Sequence, residues 1–364
     1  MGGRYNNATH LSPKKPLTMK QDWIAFLTQQ GARVDSLKGL DFGHPADELA
    51  SAQTASILVP LVDIGLIRVA GTDAVEFLHN LLTNDVKGLA ANGARRYGFC
   101  NVKGRLLADL MMWREGDDLL IALSAELHAL ILKKLSMFVL RSKVKLTDAG
   151  DERVLLGLSG PQAEAAVTEL GPVPTEVLMS SQNEHGQIIR LDKQRYLLSL
   201  EAAAAPAVWL KLAAHARPAG LPAWHWLEIL AGMPHITAAT QEEFIPQMVN
   251  YEMIGGVSFT KGCYPGQEIV ARTQYLGKIK RRMYRAHLEG GAPLAGAHLY
   301  APETGEQSCG RIVNAAPSPQ GGSEVLAVIQ STCADAGEVH LDTPAGPRLL
   351  FQPLPYDMNL PQPG

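Results

Sequence analysis

A cysteine with a neighbouring cation is the most reactive feature of the sequence, and it lies within residues 259–268. Lys261 stands two residues before Cys263, and an ammonium group at that spacing lowers the thiol pKa and favours the reactive thiolate. Glycine and proline on both sides of the cysteine predict a turned backbone, which puts Cys263 on a loop. The alternative is a buried cysteine in a structural turn, because free cysteine often packs as a small apolar side chain.

Two tryptophans, Trp224 and Trp226, flank His225 just before an apolar run. Aromatic faces stack on flat heteroaromatic ligands such as a pterin. The alternative is that both rings anchor a helix to its neighbours. By the same reasoning, His225 is either a surface residue or a catalytic one.

A basic run near residue 280 could bind a polyanion, such as a polyglutamate tail or RNA phosphate. Its members are Lys278, Lys280, Arg281, Arg282 and Arg285. The alternative is a solvated strand face at a domain junction. Because the whole chain carries little net charge, RNA binding is the weaker of the functional interpretations.

The composition is that of a globular protein with little net charge. The chain has 364 residues, of which 46% are hydrophobic and 19% charged, and its formal net charge is −3. This length predicts two or three domains, and the charge predicts no general attraction to nucleic acid or acidic membranes. No apolar run approaches the roughly 20 residues that cross a bilayer. Residues 1–20 lack the apolar stretch of a secretory signal and predict a disordered extension.

The cysteines indicate a reducing compartment. Four of them are widely spaced and show no metal-site pattern, namely Cys100, Cys263, Cys309 and Cys333. We therefore expect free thiols, no metal site and a cytoplasmic location. The sequence also lacks the glycine-rich nucleotide motifs, the serine-hydrolase motif and the zinc-protease motif.

The order of elements between residues 66 and 149 predicts a ferredoxin-like sandwich of helices on an antiparallel sheet. The predicted elements are a strand at 66–70, a helix at 72–82, strands at 96–101, 105–113 and 119–123, a helix capped by Ser124, and a strand at 144–146. The second helix has an apolar stripe of Leu127, Leu130, Ile131, Leu135, Phe138 and Val139. After Arg285, short apolar strands between turn residues predict a C-terminal β-barrel.

Three blocks of sequence resemble the YgfZ family, which shares its fold with the glycine-cleavage aminomethyltransferase. The longest block is the ungapped run 244–272, which contains the motif K-G-C-Y-P-G-Q-E around Cys263. Residues 81–86 and 104–110 look like two blocks shared with the aminomethyltransferase superfamily. The resemblance covers residues 55–330 and weakens toward the C-terminus.

This resemblance implies an α+β fold of three domains around a central channel that binds tetrahydrofolate. The first domain would be discontinuous, comprising residues 21–65 and 150–283. The ferredoxin-like second domain, residues 66–149, would be inserted into it, and the β-barrel would occupy residues 284–364.

The resemblance also implies which residues form the site. Lys261 and Cys263 would face the channel, and Trp224 would stack on the folate. Further folate contacts would come from Tyr264, Gln267, Glu268, Arg272 and Asn101. Cys263, Lys261 and Asp109 would be the catalytic residues.

Two departures from the aminomethyltransferase pattern argue against aminomethyl transfer. In the glycine-cleavage enzyme an aspartate pair contributes the catalytic acid, whereas this chain has Ala108 followed by Asp109. An alanine cannot transfer a proton. The pattern R-x-E-A-G is replaced by residues 228–232, Glu-Ile-Leu-Ala-Gly, so its arginine and glutamate are both absent.

The resemblance to the YgfZ family implies a folate-binding accessory protein that supports iron–sulfur enzymes, including those that methylthiolate tRNA. The thiolate of Cys263 would exchange with a partner thiol, take up sulfur or hold cluster iron, and the sequence leaves these three open. The alternative is a folate-dependent aminomethyl transferase or demethylase that uses Asp109. The expected partners are folate and iron–sulfur enzymes or cluster-assembly proteins, without direct binding to nucleic acid or membranes.

Overall fold

A computed structural model describes residues 19–35, 39–275 and 279–358. The α-helices of these residues are α1 (Met19–Gln29), α2 (Pro45–Thr54), α3 (Ala74–His79), α4 (Ala125–Met137), α5 (Ala163–Thr168), α6 (Ala205–Leu212), α7 (Leu221–Leu230), α8 (Gln267–Tyr275) and α9 (Ser331–Ala336). None of them is long and apolar enough to cross a membrane. The extension predicted for residues 1–20 lies outside the described residues up to residue 18. Helix α1 begins at Met19, so it includes the last two residues of that range.

The strands of the described residues belong to four sheets. They are β1 (Arg33–Asp35), β2 (Gly39–Asp41), β3 (Ile57–Pro60), β4 (Ile64–Ala70), β5 (Ala94–Cys100), β6 (Leu106–Glu115), β7 (Asp118–Ser124), β8 (Lys145–Asp148), β9 (Arg153–Ser159), β10 (Ser180–Asn183), β11 (Gly186–Arg190), β12 (Arg195–Glu201), β13 (Arg217–Pro218), β14 (Arg281–Leu288), β15 (His298–Tyr300), β16 (Ser308–Pro317), β17 (Ser323–Gln330), β18 (His340–Leu341) and β19 (Leu350–Gln352). Strands β1 and β2 form a small sheet of their own.

A five-stranded antiparallel sheet has the order β5-β6-β7-β4-β8, and α4 packs across it. The sequence of elements is strand, helix, three strands, helix and strand, which confirms the predicted ferredoxin-like order. Strand β6 is buried on both faces from Leu106 to Leu110, since the rest of the chain covers the face opposite the helices. A side chain in the middle of β6 therefore lies deep inside the protein.

Helix α4 corrects the predicted apolar stripe. The buried stripe consists of Leu127, Ile131 and Leu135, which repeat every four residues. Leu130 is 40% exposed and Phe138 is 47% exposed, so the prediction is wrong for these two. Leu130 lies about 100° around the helix from Ile131, and Phe138 follows the last helical residue. Ser124 precedes the helix without making a side-chain capping hydrogen bond.

A six-stranded sheet has the order β10-β11-β12-β9-β3-β13. Strand β3 precedes the five-stranded sheet in the chain and β9 follows it, yet the two pair directly, with Ile57 opposite Ser159. The five-stranded sheet is therefore inserted between two neighbouring strands of the six-stranded sheet.

The C-terminal strands form a sheet in the order β18-β15-β16-β17-β14-β19, curled into a half-barrel. It encloses an apolar cluster separate from the main core, which includes Leu299, Ile312 and Val325. The C-terminal β-barrel was predicted from the short strands in this region. The residue limits given for the three domains stay a prediction.

Candidate functional site

The three large sheets meet at the segment that follows α7. The N–H of His235 donates to Oδ1 of Asn314 in the half-barrel at 2.8 Å, and Asn314 Nδ2 donates to the His235 carbonyl at 2.9 Å. The next residue, Ile236, donates its N–H to Oδ1 of Asp109 in β6 at 2.7 Å. One short segment thus binds both the half-barrel and the inserted sheet.

The ring of His235 lies between two carboxylates. Its Nδ1 is 3.3 Å from Oδ2 of Asp109, and its Nε2 is 3.2 Å from Oε2 of Glu228. The other oxygen of Glu228 accepts a hydrogen bond of 2.6 Å from Nη1 of Arg195, which belongs to the six-stranded sheet. We call these four residues, Asp109, His235, Glu228 and Arg195, the His235 network.

Each charged group of the His235 network stabilises the ionised form of its neighbours. Burial by itself favours the neutral ring of His235, but hydrogen bonds to Asp109 and Glu228 raise its pKa to about 10. Burial also opposes the charge on Glu228, yet Arg195 and His235 hold the pKa of that carboxyl well below its usual range. His235 is therefore a cation at neutral pH, held between two anions.

The aspartate predicted as a catalytic residue is fully occupied by this arrangement. Asp109 faces inward as the sequence predicted and is only 6% exposed. One of its oxygens accepts the Ile236 N–H and the other faces the His235 cation. A carboxylate held in this way is not placed to exchange a proton with a ligand.

Trp224 lies on the same helix as Glu228, one turn earlier. The guanidinium of Arg195 lies 5.7 Å from the centroid of its ring, and the side chain is 4% exposed. A Cβ added at Gly157 would stand 2.6 Å from the ring, so only glycine fits beside it. Trp224 is thus part of the wall around the His235 network, and its predicted stacking on folate stays a prediction.

A second pair of titratable groups, Asp63 and His225, adjoins the network. His225 Nε2 is 2.7 Å from Oδ2 of Asp63. Burial opposes the charge on Asp63, but His225, with a smaller contribution from His235, lowers its pKa. The other oxygen, Oδ1, is buried and accepts no hydrogen bond from the described residues. That oxygen therefore keeps an unsatisfied acceptor position among the described residues.

The cysteine loop forms a separate group. Cys263 is exposed on a loop, as predicted. The Nζ of Lys261 donates to the carbonyl oxygens of His79 and Leu82, the second at 2.7 Å, and lies 4.8 Å from the centroid of the Tyr264 ring. Burial lowers the pKa of Lys261 to about 8. Lys261 therefore ties the loop to the end of α3, and the predicted activation of Cys263 by its charge stays a prediction.

Two glycines hold the other side of the loop. Gly266 has a φ of +81°, and a Cβ there would stand 2.4 Å from the carbonyl oxygen of Asn101 and 2.6 Å from Cα of Gly104. Gly104 has a φ of +70° and lies close to the Gly266 carbonyl in return. The structure thus brings the cysteine motif against the turn at residues 101–105, just before the block 104–110 continues, through a backbone contact that only glycine allows.

The remaining predicted site residues lie around this loop. Oδ1 of Asn101 accepts the N–H groups of Lys103 and Arg105, so the side chain fixes the turn. Tyr264 is buried. Gln267 is half-buried at the start of α8, while Glu268 and Arg272 are exposed on it. The folate contacts predicted for these residues stay predictions.

The basic run is partly used inside the protein. Lys278 lies outside the described residues. Arg282 donates to the Gln247 carbonyl at 2.9 Å and pairs with Glu252, and Arg285 pairs with Glu324 at 3.7 Å. Arg282 therefore ties the half-barrel to residues 247–252, and Arg285 pairs with a neighbouring strand of the half-barrel itself.

The sequence analysis did not identify five polar residues of the His235 network, the Asp63–His225 pair and the cysteine loop as site residues. They are Asp63, His79, Arg195, Glu228 and His235. His79 is buried, and its Nε2 lies 4.0 Å from where a Cβ of Gly262 would be, beside Cys263. Burial, together with the Lys261 charge, lowers its pKa. The sequence offered one indication of such residues, which is a charged residue within an apolar run, as at Glu228.

A solved structure and a family model both match the fold of this chain. The chain superimposes on the glycine cleavage system aminomethyltransferase T of Bartonella henselae with a TM-score of 0.70, at 20% identity, covering 90% of this chain and 95% of that one. Residues 39–188 match the sequence model of the GCVT N-terminal domain. The protein therefore has the three-domain aminomethyltransferase fold.

Curated relatives then give the family. The tRNA-modifying protein YgfZ of Yersinia pseudotuberculosis serotype O:1b (strain IP 31758) is 32% identical over 318 residues, which cover 85% of this chain and 95% of that protein. The tRNA-modifying protein YgfZ of Sodalis glossinidius (strain morsitans) is 31% identical over 317 residues, covering 86% and 96%. The chain belongs to the YgfZ family.

Proposed function

We propose that this protein is a folate-binding accessory factor of the cytoplasm that supports iron–sulfur enzymes, among them enzymes that methylthiolate tRNA. It would present the thiol of Cys263 to such an enzyme while tetrahydrofolate occupies the region around Asp63 and Trp224. The proposal joins the tRNA-modifying role of the relatives with the aminomethyltransferase fold.

One observation carries the proposal. Asp109, which remains of the acid pair of the aminomethyltransferase pattern, is bound on both oxygens by the Ile236 N–H and by His235. Since Ala108 occupies the other position, no carboxylate of this block is free for proton transfer. This supports a role in which the fold binds folate without transferring an aminomethyl group.

The cysteine loop supports the accessory role. Cys263 is the exposed cysteine among the described residues, while Cys100, Cys309 and Cys333 are buried. The loop is tied to α3 by Lys261 and to the 101–105 turn by Gly266, so its thiol is presented at the surface from a fixed backbone. An exposed thiol on an anchored loop is suited to exchange with a group on another protein.

The residues near the His235 network fit a folate. The buried Oδ1 of Asp63 lacks a donor in the described chain, and the amino group and ring N–H of a pterin are donors. Trp224 and His225 would lie beside such a ring, because they precede the network on α7. Tetrahydrofolate supplies one-carbon chemistry when bound. The residues of this chain would position it and keep water from its ring.

Calorimetric titration with tetrahydrofolate tests the folate site. Saturable binding is expected for the native protein. Because a hydrogen bond to a charged group contributes about 1.5–3 kcal/mol, Asp63→Asn should weaken binding by about tenfold. Trp224→Ala should also weaken it. Asp117→Asn, in the exposed turn after β6, is the matched control. Absence of binding to the native protein would remove folate from the proposal.

Complementation tests the role of the thiol. In a strain that lacks the gene, the native protein should restore tRNA methylthiolation and Cys263→Ser should not. Thr260→Ala, an exposed change on the same loop, should restore it as well as the native protein. Full restoration by Cys263→Ser would show that the protein acts without this thiol.

A further inference from the structure

The outer face of α4 and the turn after it form an apolar surface that the rest of the described chain leaves uncovered. Leu130 is 40% exposed, Met137 70%, Phe138 47% and Leu140 89%. Leu130 and Met137 lie two turns apart on the same helical face. Phe138 and Leu140 follow the end of the helix. Leu140 has a left-handed φ of 40° in the turn closed by the Ser142 N–H and the Val139 carbonyl. Exposed apolar residues gathered in one place usually mark an interaction site.

The same segment carries a dense positive charge. It contains five basic residues, Lys133, Lys134, Arg141, Lys143 and Lys145. Residues 127–147 contain no aspartate or glutamate, although the whole chain has a net charge of −3. None of the five side chains forms an ion pair within residues 19–35, 39–275 and 279–358, and four of the five are exposed. These cations remain available for an anionic partner.

Helix α3 connects this surface with the cysteine loop. At the start of α3, the Lys143 N–H donates to Oδ2 of Asp73 at 2.8 Å, and the Lys143 carbonyl packs against Gly71. At its end, Lys261 donates to the carbonyls of His79 and Leu82. Six helical residues span about 9 Å, so the two sites lie at the two ends of one short helix.

We propose that the basic apolar surface formed by residues 130–145 docks an acidic protein with an apolar centre in its interface, the iron–sulfur enzyme that Cys263 serves. This inference rests on the proposed function and names where its partner binds. Acidic side chains would face the lysines at the rim, while Met137 and Leu140 would enter the apolar centre, the usual arrangement of a protein interface.

The apolar residues decide between classes of partner. RNA phosphates would pair with the lysines but leave Met137 and Leu140 in water. An interfacial membrane helix must turn its apolar face outward, whereas the apolar stripe of α4, through Ile131 and Leu135, is buried in this protein. A protein partner accounts for both the charge and the exposed apolar side chains.

Site-specific photo-crosslinking in cells tests the surface. p-Benzoylphenylalanine would replace Met137 in one protein and Leu210 of α6, which is 54% exposed, in the control. The expected crosslink occurs from position 137 alone, to an acidic segment of an iron–sulfur enzyme. Lys133→Glu/Lys143→Glu should reduce it about tenfold, because reversing two charges at an interface rim replaces attraction to an acidic partner by repulsion. Lys193→Glu/Lys211→Glu changes the net charge equally and should leave it intact.

Three outcomes would overturn the inference: equal crosslinking from position 210, an adduct with RNA, or binding to phosphatidylglycerol vesicles that the Lys133→Glu/Lys143→Glu variant loses. The inference is supported only if a second result is also obtained. Replacing the acidic residues of the crosslinked segment by basic ones must restore the crosslink to the Lys133→Glu/Lys143→Glu variant. Cys263→Ser separates the two proposals, since it should keep the crosslink and lose methylthiolation. If it keeps both, the thiol role fails while docking stands.

Discussion

The imidazole of His235 lies 3.3 Å from the carboxylate of Asp109, the residue that the sequence comparison offered as a catalytic acid. The same ring lies 3.2 Å from Glu228, at the position where the aminomethyltransferase pattern has an arginine. The two departures that the sequence showed separately are thus joined in space by one histidine. At the meeting point of three sheets, these residues form one set of ion pairs with Arg195.

His235→Gln should destabilise the protein at pH 7 by about 2 kcal/mol, because two buried carboxylates lose their shared cation. A fully buried pair would lose more, but about a third of this side chain reaches solvent. Urea unfolding of the native protein and the variant measures the difference. His185→Gln, at a partly exposed histidine paired with Glu184, is the control and should change little.

The pH dependence of that difference gives a second measurement. The folded pKa of His235 is about 10, above the ordinary value of 6.5, so its contribution is complete below pH 6.5. It should decline as the pH rises from 6.5 toward 10 and be lost above. The native protein and His235→Gln should therefore converge in stability near pH 10. A difference that stays constant between pH 7 and pH 10 would contradict the assignment of His235 as a cation.

Gly266→Ala should be far more harmful than Gly255→Ala, although both glycines have positive φ angles. At Gly255 a Cβ meets nothing within 4 Å, so the cost is the strain of a left-handed alanine, about 1 kcal/mol. At Gly266 the Cβ would strike the Asn101 carbonyl at 2.4 Å, and the loop must move. We expect a loss of about 2–4 kcal/mol in urea unfolding. Equal losses for the two variants would show that the loop does not need this contact.

Local features of the sequence were enough to place Cys263 and the hairpins. Glycine and proline around the cysteine bend the chain within a few residues, and the turn between β6 and β7 depends on Gly116 in the same way. The His235 network could not be found in that manner. Its members come from β6, β12, α7 and the segment after α7, and nothing in the neighbourhood of any one of them identifies the others.

The error in α4 has a different physical cause. Periodicity identifies which residues of a helix are apolar, but not whether a neighbour covers all of them. Leu130 and Phe138 fit the helical pattern and yet face solvent. A surplus of apolar residues beyond the buried stripe was the sequence property that distinguished a surface patch from a core.

Lys261→Met should loosen the cysteine loop without unfolding the protein. The variant loses hydrogen bonds from Nζ to the carbonyls of His79 and Leu82, but it also removes a buried charge whose desolvation lowers its pKa to about 8. The net local loss is about 1.4 kcal/mol, which is a tenfold increase in exchange. Hydrogen exchange of residues 258–267, followed by mass spectrometry, measures it.

Two further variants control this experiment. Lys261→Arg keeps donors for the two carbonyls and should restore part of the protection. Lys87→Met removes an exposed lysine that pairs with Glu76 and should leave exchange in the loop unchanged. If Lys261→Met leaves the loop as protected as in the native protein, the anchoring role of Lys261 is wrong.

Leu140→Asn should raise stability and impair function together. Leucine at a φ of 40° is strained, whereas asparagine adopts left-handed conformations readily, so we expect a gain of about 0.5–1 kcal/mol in urea unfolding. Leu140→Ala is the matched control, because it removes the apolar side chain and keeps the strain.

If residues 130–145 dock a protein, both variants should reduce tRNA methylthiolation in the complementation strain by about fivefold, while only Leu140→Asn gains stability. Such a combination would explain why a strained, 89% exposed leucine is present at this turn. A more stable Leu140→Asn protein with full methylthiolation would instead separate Leu140 from any partner, and the docking surface would then have lost its most exposed contact.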